Sequence, residues 1–120
     1  MPGANVEARV SLIQFTEDDT FITYCPALDL SGYGITTDEA NNSFELALEE
    51  FFRYTIKKNT LNDVLHSLGW KRKEDAVQPC FNQPDLYSML GQHEYLNDIF
   101  SEKEFTKVDR NIQMPAMATC

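Results

Sequence analysis

The chain reads as an α+β domain: a three-stranded antiparallel sheet, a long helix packed on it, and a C-terminal extension that ends in a strand. Three patterns carry that expectation. Two strand-like segments flank a short polar break near the N-terminus. A capping box then opens a run of apolar residues at helical spacing. Near the C-terminus the pattern switches to period-two alternation.

Glu7 to Thr16 is predicted as the first strand. Ala8, Val10 and Leu12 fall on one parity, and Ile13 and Phe15 on the other. Both faces are thus partly apolar, as suits an inner strand with a helix on one face. Glu17-Asp18-Asp19-Thr20 has the composition of a hairpin turn. Phe21 to Cys25 follows as a β-branched and aromatic strand that Pro26 ends. A short third strand is expected over roughly Gly32 to Ile35, where the glycine pair Gly32/Gly34 suggests a tight approach or a bulge.

Thr36 and Glu39 form the capping box, and Asp38 and Glu39 suit the positive end of the helix dipole. Ala40, Phe44, Ala47, Leu48, Phe51 and Thr55 make the apolar stripe, with Glu45, Glu49 and Arg53 on the wet face. Lys57 and Lys58 fall in the last turn, and Asn59 is the expected C-cap. Thr60 is a candidate cap for a second, shorter helix through Leu68, which Gly69 ends in a left-handed conformation. Trp70 to Lys73 is expected to be extended, Asp75 to Pro84 to be loop, and Asp85–Leu90 and Glu94–Phe100 to be short helices. Lys107 to Met114 alternates as a half-buried strand stopped by Pro115. It could be a sheet edge or a dimer-forming ribbon. Residues 1–70 then form the core, and residues 71–120 extend the same domain.

At 120 residues, with 42% apolar and 24% charged content, the chain is long enough for a single core without disulfides or metal. No apolar run reaches bilayer length, and the first residues lack the pattern of a secretory signal, so the cytoplasm is the expected address. Cys25, Cys80 and Cys120 lack metal-ligand spacing and are expected to be free thiols. His66 and His93 are isolated and expected at the surface. No catalytic, nucleotide-binding or metal motif is present, and no cofactor is expected. Asp18 and Asp19 are adjacent acids, better read as a turn than as a metal site.

Charge is more informative. Residues 1–50 hold ten acids and one base, and residues 51–120 hold nine of each, so the first 50 residues account for the whole net charge of −9. Such a field repels phosphates and favours a basic partner.

Tyr24-Cys25-Pro26-Ala27-Leu28 is similar to the Y-x-P-x-L segment of HicB-like antitoxins, and Gly34-Ile35-Thr36-Thr37-Asp38-Glu39-Ala40 resembles their G-x-T-x-[DE]-E-A segment. The resemblance spans roughly Val6 to Asn59. One departure is Asp29-Leu30-Ser31 where family members usually carry P-G-C, in a loop one residue shorter. The resemblance implies a partial RNase H-like fold used for binding, and a partner of the HicA kind, a small basic toxin that cleaves mRNA. Many family members continue into a DNA-binding domain. Nothing after the alternating strand could supply a recognition helix, so no direct nucleic-acid binding by this chain alone is expected.

The leading expectation is a non-catalytic, antitoxin-like binding module. The alternatives are a stand-alone homo-oligomeric domain, its terminal strand pairing across a two-fold axis, and a divergent RNase H-like nuclease. Candidate partner-binding residues are Asp18, Asp19, Asp29, Tyr33, Asp38 and Glu39, taken from turns and helix starts.

Overall fold

The computed structural model describes residues 5–73, 80–90 and 93–115. Its elements are β1 (Asn5–Glu17), β2 (Thr20–Cys25), β3 (Leu30–Gly34), α1 (Thr37–Lys57), α2 (Leu61–Ser67), β4 (Lys71–Lys73), β5 (Cys80–Asn82), α3 (Leu86–Leu90), α4 (Glu94–Glu102) and β6 (Phe105–Pro115). The main sheet is antiparallel in the order β3-β2-β1-β6. Among the described residues no helix is long and apolar enough to cross a membrane.

The two parities of β1 serve two cores. Ala8, Val10 and Leu12 pack with Phe44, Leu48 and Phe52 of α1, with Leu65 and Trp70, and with Ile112 and Met114 of β6. Ile13 and Phe15 join Ile22 and Tyr24 of β2 on the other face, where Met89 of α3 and Leu96 and Ile99 of α4 cover them. The sheet is therefore sandwiched between helices on both faces. The segment from α3 to α4 is the lid on the second face.

The β1–β2 hairpin has a two-residue loop, Asp18-Asp19, with Glu17 opposite Thr20. Both loop residues have positive φ, 50° and 65°. That is the type I′ pattern, whose twist matches the flanking strands and which short acidic or amide residues tolerate. The third strand begins at Leu30, ahead of the expected Gly32, because Leu30 pairs with Cys25 right after a buried loop. In that loop Pro26, Ala27 and Leu28 turn inward. The indole Nε1 of buried Trp70 donates to the Ala27 carbonyl at 2.7 Å, which satisfies both groups away from water.

The α1 cap forms as expected: the Glu39 amide donates to Thr36 Oγ1 at 3.1 Å. Asn59 lies just past the end of α1 with φ 56°. The buried stripe runs Ala40, Phe44, Leu48, Phe52 and Thr55, so Phe52, which the spacing overlooked, is deeper than Phe51. Glu45, expected on the wet face, keeps about half of its side chain exposed and bridges to Arg110 of β6 at 2.6 Å. Asn41 accepts from Thr23 Oγ1 at 2.8 Å and Gln14 Nε2 at 3.0 Å, locking α1 to two neighbouring strands.

Other details depart from the sequence reading. The Thr60 side chain makes no cap bond to α2. Cys80–Asn82, expected as loop, is a strand that pairs with β4 and brings Phe81 into the core; residues 75–79 of that expected loop, with Gly91 and Cys120, lie outside the described residues. Cys25 is a free, buried thiol.

Gly32 and Gly34 sit directly beneath α1. A Cβ on Gly32 would overlap the backbone of Ala40 and Phe44, and one on Gly34 would overlap Glu39. Backbone cannot move aside as a flexible side chain can. Gly32→Ala is therefore expected to cost about 3 kcal/mol in urea denaturation. Gly69→Ala, at φ 96° but with only Pro84 carbons at 3.8 Å, is expected to cost about 1 kcal/mol from backbone conformation alone. Equal costs at the two positions would contradict the close packing of α1 on β3.

Candidate functional site

The β2–β3 register decides which candidate residues meet. Phe21 lies opposite Gly34, so the β1–β2 turn and the start of α1 share one end of the sheet. That end holds Asp18 and Asp19 in the turn and Asp38 and Glu39 in the first helical turn, all four exposed. None of them takes part in an ion pair among the described residues. By contrast Glu17 reaches Lys103 at 3.8 Å, Glu50 binds Arg53 at 3.0 Å, and Glu45 is held by Arg110.

Two large side chains toward this end of β3 are also exposed. Tyr33 is 56% exposed and Ile35 74%. Gly32 and Gly34 face α1, so Tyr33, between them, projects to the other face, as its partner Ile22 does. Its backbone N–H donates to Ser43 Oγ of α1 at 3.1 Å, which occupies the outer side of β3 at that point.

Asp29 does not join this group. It lies beyond the end of β2, at the opposite end of the sheet, with φ 53°. There it accepts a hydrogen bond from the Tyr24 hydroxyl at 2.8 Å. His93, expected as an isolated surface residue, is half-buried, with Nε2 at 3.4 Å from the Tyr24 hydroxyl and 3.9 Å from Asp29 Oδ1. Asp29 and His93 border a cleft of about 700 Å³ that Lys71, Asn82, Asp85 and Ser88 also line. Sequence reasoning missed it because His93 is 69 positions from Tyr24, and nothing local announces the pairing.

The trio acts as a clasp. Burial, and then the hydrogen bond to Asp29, push the Tyr24 phenol well above its usual value, so it stays a donor. Tyr95 packs edge-on against it at 5.0 Å. Apart from the Tyr24 hydroxyl, His93 hydrogen-bonds to no hydroxyl or thiol among the described residues, and the Ser88 hydroxyl donates instead to the Asp85 carbonyl at 3.0 Å. The arrangement ties the β2–β3 loop to the start of α4. Among the described residues no three potential metal ligands cluster.

Compared with known proteins, the chain matches no family model, no curated protein and no solved structure.

Two neighbouring groups make the fold sensitive to alkali. Burial raises the Cys25 thiol from 9.0 to about 11, and the Tyr24 phenol also titrates above its ordinary 10.0. The unfolded chain therefore gives up these protons first. Stability is expected to be level below pH 9 and to fall from pH 9 to 11, at up to about 1.4 kcal/mol per pH unit for each group. Urea denaturation across that range checks it. In Cys25→Ala the decline is expected to begin nearer pH 10, and a wild-type stability flat to pH 11 would contradict the burial of both groups.

Proposed function

We propose that this chain is a non-catalytic protein-binding module of the HicB antitoxin type, which docks on a small basic mRNA-cleaving toxin of the HicA type and covers its RNA-binding surface. The observation that carries the reading is the grouping at one end of the sheet of Asp18, Asp19, Asp38 and Glu39, exposed and free of ion pairs among the described residues, with exposed Ile35 just ahead of α1. An interface of this composition works in two ways. Its charge steers a basic partner in and rejects phosphate. The exposed Ile35 side chain adds apolar contact area next to the helix start. The concentration of the −9 net charge in residues 1–50 and the resemblance of the Tyr24–Leu28 and Gly34–Ala40 segments support the same reading. The proposed site of action is the cytoplasm, where such a toxin meets mRNA. Asp29 is left out of the docking surface, since it faces the other end of the sheet and is engaged by Tyr24.

A second reading, a homo-oligomeric domain with no toxin partner, is favoured by the outer side of β6, along which no other element lies among the described residues.

The test uses a basic toxin-like protein encoded beside this chain's gene, its affinity measured by calorimetry at low and high salt. Changing Asp18, Asp19, Asp38 and Glu39 together to Lys is expected to weaken binding about a hundredfold, mainly through a slower association rate, and to abolish its salt dependence. Asp29→Lys is expected to leave affinity within a few-fold. Failure of the wild-type chain to bind at low salt, or equal affinity for the fourfold variant, would overturn the proposal.

A further inference from the structure

The sheet has two outer strands, and they are finished differently. On β3, α1 closes over the strand and Ser43 takes up the Tyr33 amide. On β6, the inner side is laddered to β1 from Asn5↔Pro115 to Phe15↔Phe105, and among the described residues no element lies along the outer side. A bare edge of 11 residues is long for a natural sheet, which ordinarily covers, shortens or guards such a strand.

The charges along β6 act as a guard with one gap in it. When two copies of an edge pair antiparallel about a two-fold axis normal to the sheet, facing residues share a face, so the axis passes through a residue. An axis at Lys107, Asp109 or Arg110 sets that residue against its own copy, like charge on like charge, which is unfavourable. An axis at Asn111 or Ile112 brings Pro115, which has no N–H to donate, into the ladder and leaves Lys107 or Asp109 without an opposite charge. An axis at Val108 sets Lys107 against Asp109 of the second copy, and Asp109 against its Lys107. It also sets Val108 against Val108, and Thr106 against Arg110. Within the strand this is the register that matches charge with charge.

The side chains are already arranged for it. Lys107 Nζ lies 2.8 Å from Asp109 Oδ1 on the same face, and Ser11 Oγ donates to that carboxylate at 3.1 Å. Two copies would bring these pairs together as a four-charge cluster. Val108, 37% exposed, would be covered at the axis.

We infer that the chain forms a symmetric dimer through the outer edge of β6, antiparallel and centred on Val108, giving one continuous eight-stranded sheet. This interface is separate from the acidic end, so the dimer stands or falls independently of toxin binding.

Sedimentation equilibrium of the full chain, from low to several hundred micromolar, is the test. At high concentration the mass is expected to approach twice 13.8 kDa. Lys107→Glu faces acid with acid in its homodimer, and Asp109→Lys faces base with base. Each is expected to weaken self-association at least about tenfold. Mixed in equal amounts the two variants are expected to regain a dimer, because each acid then faces a base; general structural damage would not be rescued by mixing. Val108→Lys, with like charges meeting at the axis, is expected to be monomeric with an unchanged circular dichroism spectrum. A wild-type chain that stays monomeric throughout, single charge reversals that leave association unchanged, or variants that weaken alone and fail to pair when mixed would each overturn the inference.

Discussion

Pairing of β6 with β1 along eleven positions joins the two ends of the described chain, and most of the architecture depends on it. The ladder makes β1 an inner strand, which is why both of its parities can be apolar. It brings Ile112 and Met114 beneath α1 and sets Phe105 beside Phe100 in a stack 4.3 Å between ring centres. The lid formed by α3 and α4 is a consequence. The chain has to cross from β5 back to β6, and that crossing is what covers Ile13, Phe15, Ile22 and Tyr24. Without the ladder the second core would have no cover on one face of the sheet.

The same ladder separates the surfaces on which function is proposed. One end of the sheet, where the β1–β2 turn meets the start of α1, gathers exposed acids. The opposite end is fastened by Tyr24, Asp29 and His93. The side closed by α1 cannot add a strand at Tyr33, whereas among the described residues no element covers the side formed by β6. The proposed acidic docking surface and the proposed strand-to-strand association thus lie on different margins of one sheet.

Local chemistry was legible in the sequence, and long-range pairing was not. The hairpin turn, the Thr36 cap, the stripe of α1, the left-handed Gly69 and the terminal strand all follow from residues within one turn or one strand of each other. The alternation in Lys107–Met114 announced a strand without naming its neighbour, since period two looks the same beside β1 or across a dimer. The His93 clasp and the Glu45–Arg110 bridge join residues 69 and 65 positions apart, and each looked like an ordinary surface residue in its own segment. Four of the six candidate partner-binding residues share an end of the sheet because strand register set them there, and Tyr33 projects to the face away from α1. Asp29 looked equivalent in sequence, as a polar loop residue, and the register sent it to the other end.

The most direct test of the account is residue-resolved amide hydrogen exchange at a concentration low enough to keep the chain monomeric. In an antiparallel edge strand, alternate amides point to the neighbour and the rest to solvent. With β6 laddered to β1, every second amide of β6 is expected to be protected to the level of β1 and β2, and the intervening amides to exchange fast. Fast exchange along the whole of β6, with β1 and β2 still protected, would show that the terminal strand does not belong to the sheet and would contradict the account at its base.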